Sequence, residues 1–238
     1  VITSGTPPYK FTVTGGGSFC PGGSGVAVGL VGTVSGCNYQ LYNGLTATGS
    51  PITGTGASIS FGPQTNTGTY KVIATNNTTG CTSTMTDSAI VSNFTLPIAY
   101  NVTGGGSFCA GGSGLHIGLS GSSTGVVYQL YRGTKSVGNV VSGTGSNFDM
   151  GLQDTAGIYS VIAVASGSLC SNNMNGTATI SVNALPAVVN VTGGGSFCSG
   201  GSGVHIGLAT STAGISYQLY NGTSTAGSPL SGTGSVES

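Results

Sequence analysis

The 238 residues include four Lys or Arg and four Asp or Glu, with no net charge, so charged residues are only 3% of the chain, against roughly a quarter in ordinary globular domains. Phosphate binding needs a basic footprint, so this balance argues against nucleic acid and anionic membrane surfaces as partners, and four acids cannot furnish calcium sites at successive module junctions. No apolar run approaches the roughly 18–20 residues that cross a bilayer, so membrane insertion is not expected.

Thr14-Gly15-Gly16-Gly17-Ser18-Phe19-Cys20 opens a stretch that recurs from Thr103 and again from Thr192. The cysteines give the period, since 109 − 20 = 89 and 198 − 109 = 89. A fixed period means a repeat array. Residues 1–8 match the end of a unit, 9–97 and 98–186 are complete units, and 187–238 is an incomplete one, as expected of a stretch cut from a longer array. No secretory leader is visible, which such a stretch would lack in any case.

Within a unit the pattern is that of strands. Val26, Val28 and Leu30 alternate with small residues, as do Leu115, Ile117 and Leu119 and then Val204, Ile206 and Leu208, giving one oily face and one small or polar face. Next come Tyr39-Gln40-Leu41-Tyr42-Asn43-Gly44 and its copies, where Tyr39 and Leu41 point inward and Asn-Gly (Arg132-Gly133 in the second unit) closes a hairpin with positive φ at both turn positions. A Gly-Thr-Gly break precedes Ile59 and Phe61, or Phe148 and Met150. Gln64 to Tyr70 and Gln153 to Tyr159 resemble the tyrosine corner of Greek-key sandwiches, in which a Tyr hydroxyl bonds back to the preceding loop. About seven short strands in under 100 residues make an all-β, immunoglobulin-like sandwich, and the array is a tandem of such modules. Leu96-Pro97 and Leu185-Pro186 leave a short, proline-stiffened connection, so the modules are expected to form a semi-rigid rod.

Two cysteines per unit suggest one disulfide each, Cys20 with Cys81 and Cys109 with Cys170, with the partner of Cys198 outside the chain; such usage belongs to an oxidising compartment. Cys37, aligned with Val126 and Ile215, reads as a buried thiol, with a swap into the Cys20 or Cys81 bond as the alternative. The glycine-rich stretch has no lysine and no following helix to cradle phosphate, and reads instead as a connection crossing between sheets. Gly121-Ser122-Ser123-Thr124-Gly125 fits a hydrolase pattern by chance, without the strand–turn–helix it needs. His116 and His205 share one outward position and read as surface histidines, so no metal, cofactor or catalytic residue is assigned. Asp87-Ser88-Ala89 and Asp154-Thr155-Ala156 fit a bacterial O-glycosylation pattern at Ser88 and Thr155. Tyr42, Tyr131 and Tyr220 recur on the outer face of one strand, as a contact row for sugars or neighbouring molecules or as packing within the sheet.

Phe-Cys-x-Gly before a strand, Gly-x-Tyr starting another, a late Cys and a closing Leu-Pro resemble the tandem immunoglobulin-like repeats of giant Bacteroidota cell-surface adhesins, exported by type IX secretion and used in gliding motility among other roles. The resemblance covers the whole chain and rests on structural motifs. The core tryptophan of the commoner repeats is absent, with Leu41, Leu130 and Leu219 nearby. It implies secretion, display at the cell surface and an adhesive or filamentous role, with neighbouring repeats as the first partners. Lateral self-assembly into a filament or sheath, through nearly uncharged faces, is a second expectation. Glycan binding as an accessory module of a large secreted enzyme is a third.

Overall fold

The computed structural model describes residues 5–237, and its regular elements are strands throughout. Val1–Ser4, half of the stretch read as the tail of a preceding repeat, and Ser238 lie outside the described residues. The chain divides into two compact units, one of 5–105, His116–Leu152 and Gly157–Thr179, the other of Gly106–Leu115, Gln153–Ala156 and 180–237.

In the first unit, residues 9–97 form nine strands: β1 (Val13–Gly15), β2 (Gly17–Phe19), β3 (Val26–Leu30), β4 (Cys37–Asn43), β5 (Thr46–Thr53), β6 (Ile59–Gln64), β7 (Gly68–Asn76), β8 (Thr82–Thr84) and β9 (Ala89–Asn93). One sheet has the order β1-β3-β6; the other has β2-β9-β7-β4-β5, with β8 on β7. This is an immunoglobulin-like Greek-key sandwich. It has nine strands rather than the seven expected, because the first strand divides between the sheets and the short β8 is added on β7. β1 pairs antiparallel with β3, and β2 pairs parallel with β9. The switch falls at Gly16, where φ is 82° and where a Cβ would meet the Ile90 carbonyl oxygen at 2.7 Å, so only glycine serves. The glycine run thus crosses between sheets, as its sequence suggests.

The alternation of β3 and β4 sets the core. Val28, Leu30, Tyr39 and Leu41 are buried against Val72 and Ala74 of β7 and Ala89 and Val91 of β9, with Cys37 and Phe19 in the same cluster. The β4–β5 hairpin is present, but its turn differs from the Asn-Gly expectation. Asn43 pairs with Thr46, so the two central residues are Gly44 and Leu45; Gly44 has φ 61° and Leu45 has no positive φ. Glycine at the first central position is the II′ pattern.

The strands recur at the sequence period, each starting 89 residues on (13 + 89 = 102, 89 + 89 = 178), with β11 and β18 one residue longer than β2 and β9: β10 (Val102–Gly104), β11 (Gly106–Cys109), β12 (Leu115–Leu119), β13 (Val126–Arg132), β14 (Lys135–Ser142), β15 (Phe148–Gln153), β16 (Gly157–Ala165), β17 (Ser171–Asn173) and β18 (Ala178–Asn183). In the first unit β10-β12-β15 repeats the small sheet, and β16 pairs with β13 and β17. Residues 94–101 join the repeats, held by Phe94 N–H to Phe19 O, Asn172 Nδ2 to Pro97 O and Asn175 Nδ2 to Ala99 O.

In the second unit β11 pairs parallel with β18. Further along are β19 (Val191–Gly193) on β20 (Ile206–Leu208) and β21 (Ser216–Asn221) on β22 (Ser224–Ser231).

Candidate functional site

The cysteines are where the structure departs most from the sequence reading. Cys20 is bonded to Cys170, with 5.5 Å between their Cα atoms, and not to Cys81; Cys81, Cys109 and Cys198 are thiols, so neither the 20–81 nor the 109–170 pair forms. The reason lies in the direction of the strands. Gly68, the first residue of β7, pairs with Val91, and Phe19 pairs with Asn93, so Cys20 leaves the sheet beyond the start of β7. Cys81 follows the far end, where its carbonyl accepts from Asn76 N–H. Eight strand steps separate those ends, about 26 Å at ~3.3 Å per residue, whereas a disulfide spans Cα atoms no more than about 7 Å apart. Cys20 is therefore available only to another repeat. Cys170 is buried, Cys109 and Cys198 are exposed, and Cys81 is half-buried.

Cys37 is a buried thiol within the first repeat's core. It lies two residues before Tyr39, whose hydroxyl is fully buried and accepts the Val34 N–H at 2.8 Å. Burial raises the pKa of that hydroxyl, the Val34 bond opposes the rise and Cys37 adds to it. The same bond recurs from Ser123 N to Tyr128 and from Thr212 N to Tyr217. The tyrosine corner is also present: Tyr70 donates to Asn66 O at 2.8 Å.

Two recurrent devices escaped the sequence reading. Thr33 Oγ1 donates to Ala57 O and accepts from Thr55 N, and Ser122 and Ser211 do the same toward residues 146 and 144 and residues 235 and 233. Each hydroxyl thereby clips the Gly-Thr-Gly break to the preceding loop. Gln40, Gln129 and Gln218 each donate from Nε2 to the carbonyls flanking the irregular step of the β4–β5 type hairpin. Their only sequence signal is recurrence at the period.

Of the candidate contact row, Tyr42 and Tyr131 are half-buried and Tyr220 is 58% exposed. Ser88 and Thr155 are both exposed, Ser88 beside Asp87 at φ 62° and Thr155 hydrogen-bonded to Asp154 Oδ1. His116 is exposed, and its Nδ1 lies against the Asp149 carboxylate beside a shallow cleft of about 280 Å³ that also involves Thr103 and Asn147. Among the described residues no three His, Cys, Asp or Glu side chains gather into a metal site. A larger cavity of about 530 Å³ is bounded by Val191, Ile206, Leu208, Tyr217 and Leu219. Those positions, less 178, are Val13, Val28, Leu30, Tyr39 and Leu41, all core residues of the first repeat. It is a sandwich core face and not a ligand pocket.

No protein-family description and no curated protein matches the sequence. Some solved structures resemble it. The three N-terminal domains of the Highly Immunogenic Outer Capsid protein of bacteriophage RB49 are 13% identical, with 88% of this chain and 73% of that one covered and a TM-score of 0.33. The FN1–FN3 domains of chicken CNTN1 are 13% identical over 97% and 86%, at a TM-score of 0.31. The fibronectin(III)-like modules of Clostridium thermocellum CbhA are 13% identical over 72% and 95%, also at 0.31. No residue role passes from them to this chain.

Proposed function

We propose that the chain is a structural repeat region of an extracellular cell-surface adhesin or surface filament, of the kind that Bacteroidota export by type IX secretion, in which the modules hold a binding region away from the cell or act together through many weak contacts. The observation that carries this reading is the Cys20–Cys170 bond, which joins one immunoglobulin-like repeat to the next. A bond inside a module protects that module, whereas a bond between modules limits how far they separate under load. Disulfides of this kind persist outside the cytoplasm. The proposed role is mechanical, and no residue is given a catalytic task. Ser88 and Thr155 are exposed hydroxyls suited to O-glycosylation, which would supply the solubility that so few charges do not.

Electron microscopy of the secreted protein with its neighbouring repeats, alongside its sedimentation mass, tests the proposal. Beaded rods at monomer mass are expected. Ordered bundles would replace the stalk by a laterally assembling filament, and flexibly jointed beads would overturn the mechanical reading. Glycan arrays probed with the same material test the accessory-module alternative, which needs binding that Tyr220→Ala abolishes.

A further inference from the structure

We infer that the cysteines form a continuous ladder between repeats, in which Cys81, Cys109 and Cys198 each bond a cysteine of a further repeat of this kind. The inference concerns connectivity and goes beyond the proposed role. The observed bond spans 170 − 20 = 150 residues, one period of 89 plus the 61 that separate the two cysteine positions of a repeat. No other two cysteines of the chain lie 150 apart, and the ladder positions left as thiols are those whose partners, at 81 − 150, 109 + 150 and 198 + 150, fall outside residues 1–238.

The same local hydrogen bonds recur at equivalent positions whether or not the cysteine is bonded. The carbonyls of Cys20, Cys109 and Cys198 accept from Gly23, Gly112 and Gly201 N–H at 2.8–3.0 Å. Cys81 and Cys170 both donate from N to a hydroxyl two residues earlier, Thr79 and Ser168, at 3.3 Å, and both accept at the carbonyl from the closing residue of the long strand, Asn76 and Ala165. An independent contact places the missing partner of Cys81. Its thiol donates to Gly5 O at 3.5 Å. Gly5 is equivalent to Phe94 (5 + 89), whose N–H bonds Phe19 O, next to Cys20. The chain entering from the preceding repeat therefore passes Cys81 at the point where that repeat's own first cysteine belongs.

Forming each rung joins two thiols by one S–S bond. Two electrons pass to the disulfide of an oxidant of the thiol–disulfide exchange class, whose S–S bond breaks and whose two sulfurs receive the two thiol protons. The test is to take the native full-length protein from the cell surface, block it with iodoacetamide without reductant, digest it and map cysteine peptides by mass spectrometry. Cys20–Cys170 is expected, with Cys81, Cys109 and Cys198 each in a mixed peptide with a cysteine of another repeat. On a non-reducing gel, monomer mass assigns those partners to the same polypeptide, and multimers lost on reduction assign them to a second copy. Cys20–Cys81 with Cys109–Cys170 would overturn the ladder. So would alkylation of Cys81, Cys109 and Cys198 with Cys20–Cys170 intact. Alkylation of Cys20 and Cys170 as well would defeat the extracellular placement along with it.

Discussion

Residues 9–97 and 187–237 carry nearly the same strand-forming sequence and reach different ends. In the first, Tyr39 and Leu41 are 0% and 1% exposed; at the equivalent positions Leu219 is 42% exposed and Tyr217 half-buried. Yet the hairpins match in detail. β21 pairs with β22 in the register of β4 with β5, with the irregular step at the same place, Tyr217/Leu219 for Tyr39/Leu41, and Gln218 repeats the bonds of Gln40. A hairpin needs only its turn, its alternation and a glutamine to hold the step. A core needs strands in the place of β7 and β9, and among the described residues 187–237 pair only β19 with β20 and β21 with β22. Strand pairing is local here and burial is not.

The sharpest way to break this comparison is to cut the same side chain in both places. Leu41→Ala should cost the first repeat about 2–5 kcal/mol, the range for truncating a fully packed leucine. Leu219→Ala in the 238-residue chain should stay within about 0.5 kcal/mol, as changes to exposed side chains do. Native-state hydrogen exchange reads both at once, through the amides of β7 and of β21. Equal losses would mean that the open face of 187–237 is as well packed as the closed one.

The buried tyrosines come next. Tyr39→Phe removes the acceptor of the Val34 N–H and should destabilise the repeat by about 1–2 kcal/mol. Tyr217→Phe should cost less, because the exposed Thr212 can turn its N–H to water. The sign of the pH effect follows from the raised pKa of Tyr39: its contribution is complete below the ordinary tyrosine range and is lost as pH rises through the folded value. Alkaline unfolding followed by tyrosinate absorbance should show Tyr39 ionising above the ordinary tyrosine range until the repeat unfolds. Gln40→Ala and Gln218→Ala, by contrast, should weaken their hairpins alike, by about 1 kcal/mol each, since neither set of bonds depends on the sandwich closing. Exchange rates across each hairpin decide it.

What was legible in the sequence follows the same division. Val28/Leu30, Tyr39/Leu41 and the Tyr70 corner declare themselves because alternation and a tyrosine four residues from its acceptor are local signals. The sheet switch at Gly16 is legible for the same reason. The disulfide is not. Spacing alone treats Cys20 and Cys81 as a pair, and only the direction of β7 shows that they leave opposite ends of the sheet. Thr33, Ser122 and Ser211 are equally silent, because their bonds close loops of 22 to 24 residues and any Ser or Thr reads alike in a chain rich in both.

The smallest effect separates the regions by chemistry. Glu237 stands where the first two repeats have Ile59 and Phe148, since 237 − 178 = 59 and 237 − 89 = 148. It pairs with Leu208 as Ile59 pairs with Leu30, but its carboxylate accepts from Thr233 Oγ1 and Thr233 N and shares the Ser211 hydroxyl proton with the Ser235 carbonyl, so the hydroxyl clip gains an ionised member. Those bonds, the Thr233 hydroxyl first, hold its pKa below the usual carboxylate range. A depressed value means that the added order is present above the unfolded-state pKa and fades as pH falls through the lower folded one. Carboxyl carbon shifts in an NMR titration should therefore move below the ordinary glutamate range, with the Thr233 and Gly234 amides moving in step. Glu237→Gln should leave those amides flat with pH, and the Thr55 and Thr144 amides, whose clips contain no carboxylate, should not follow in either protein.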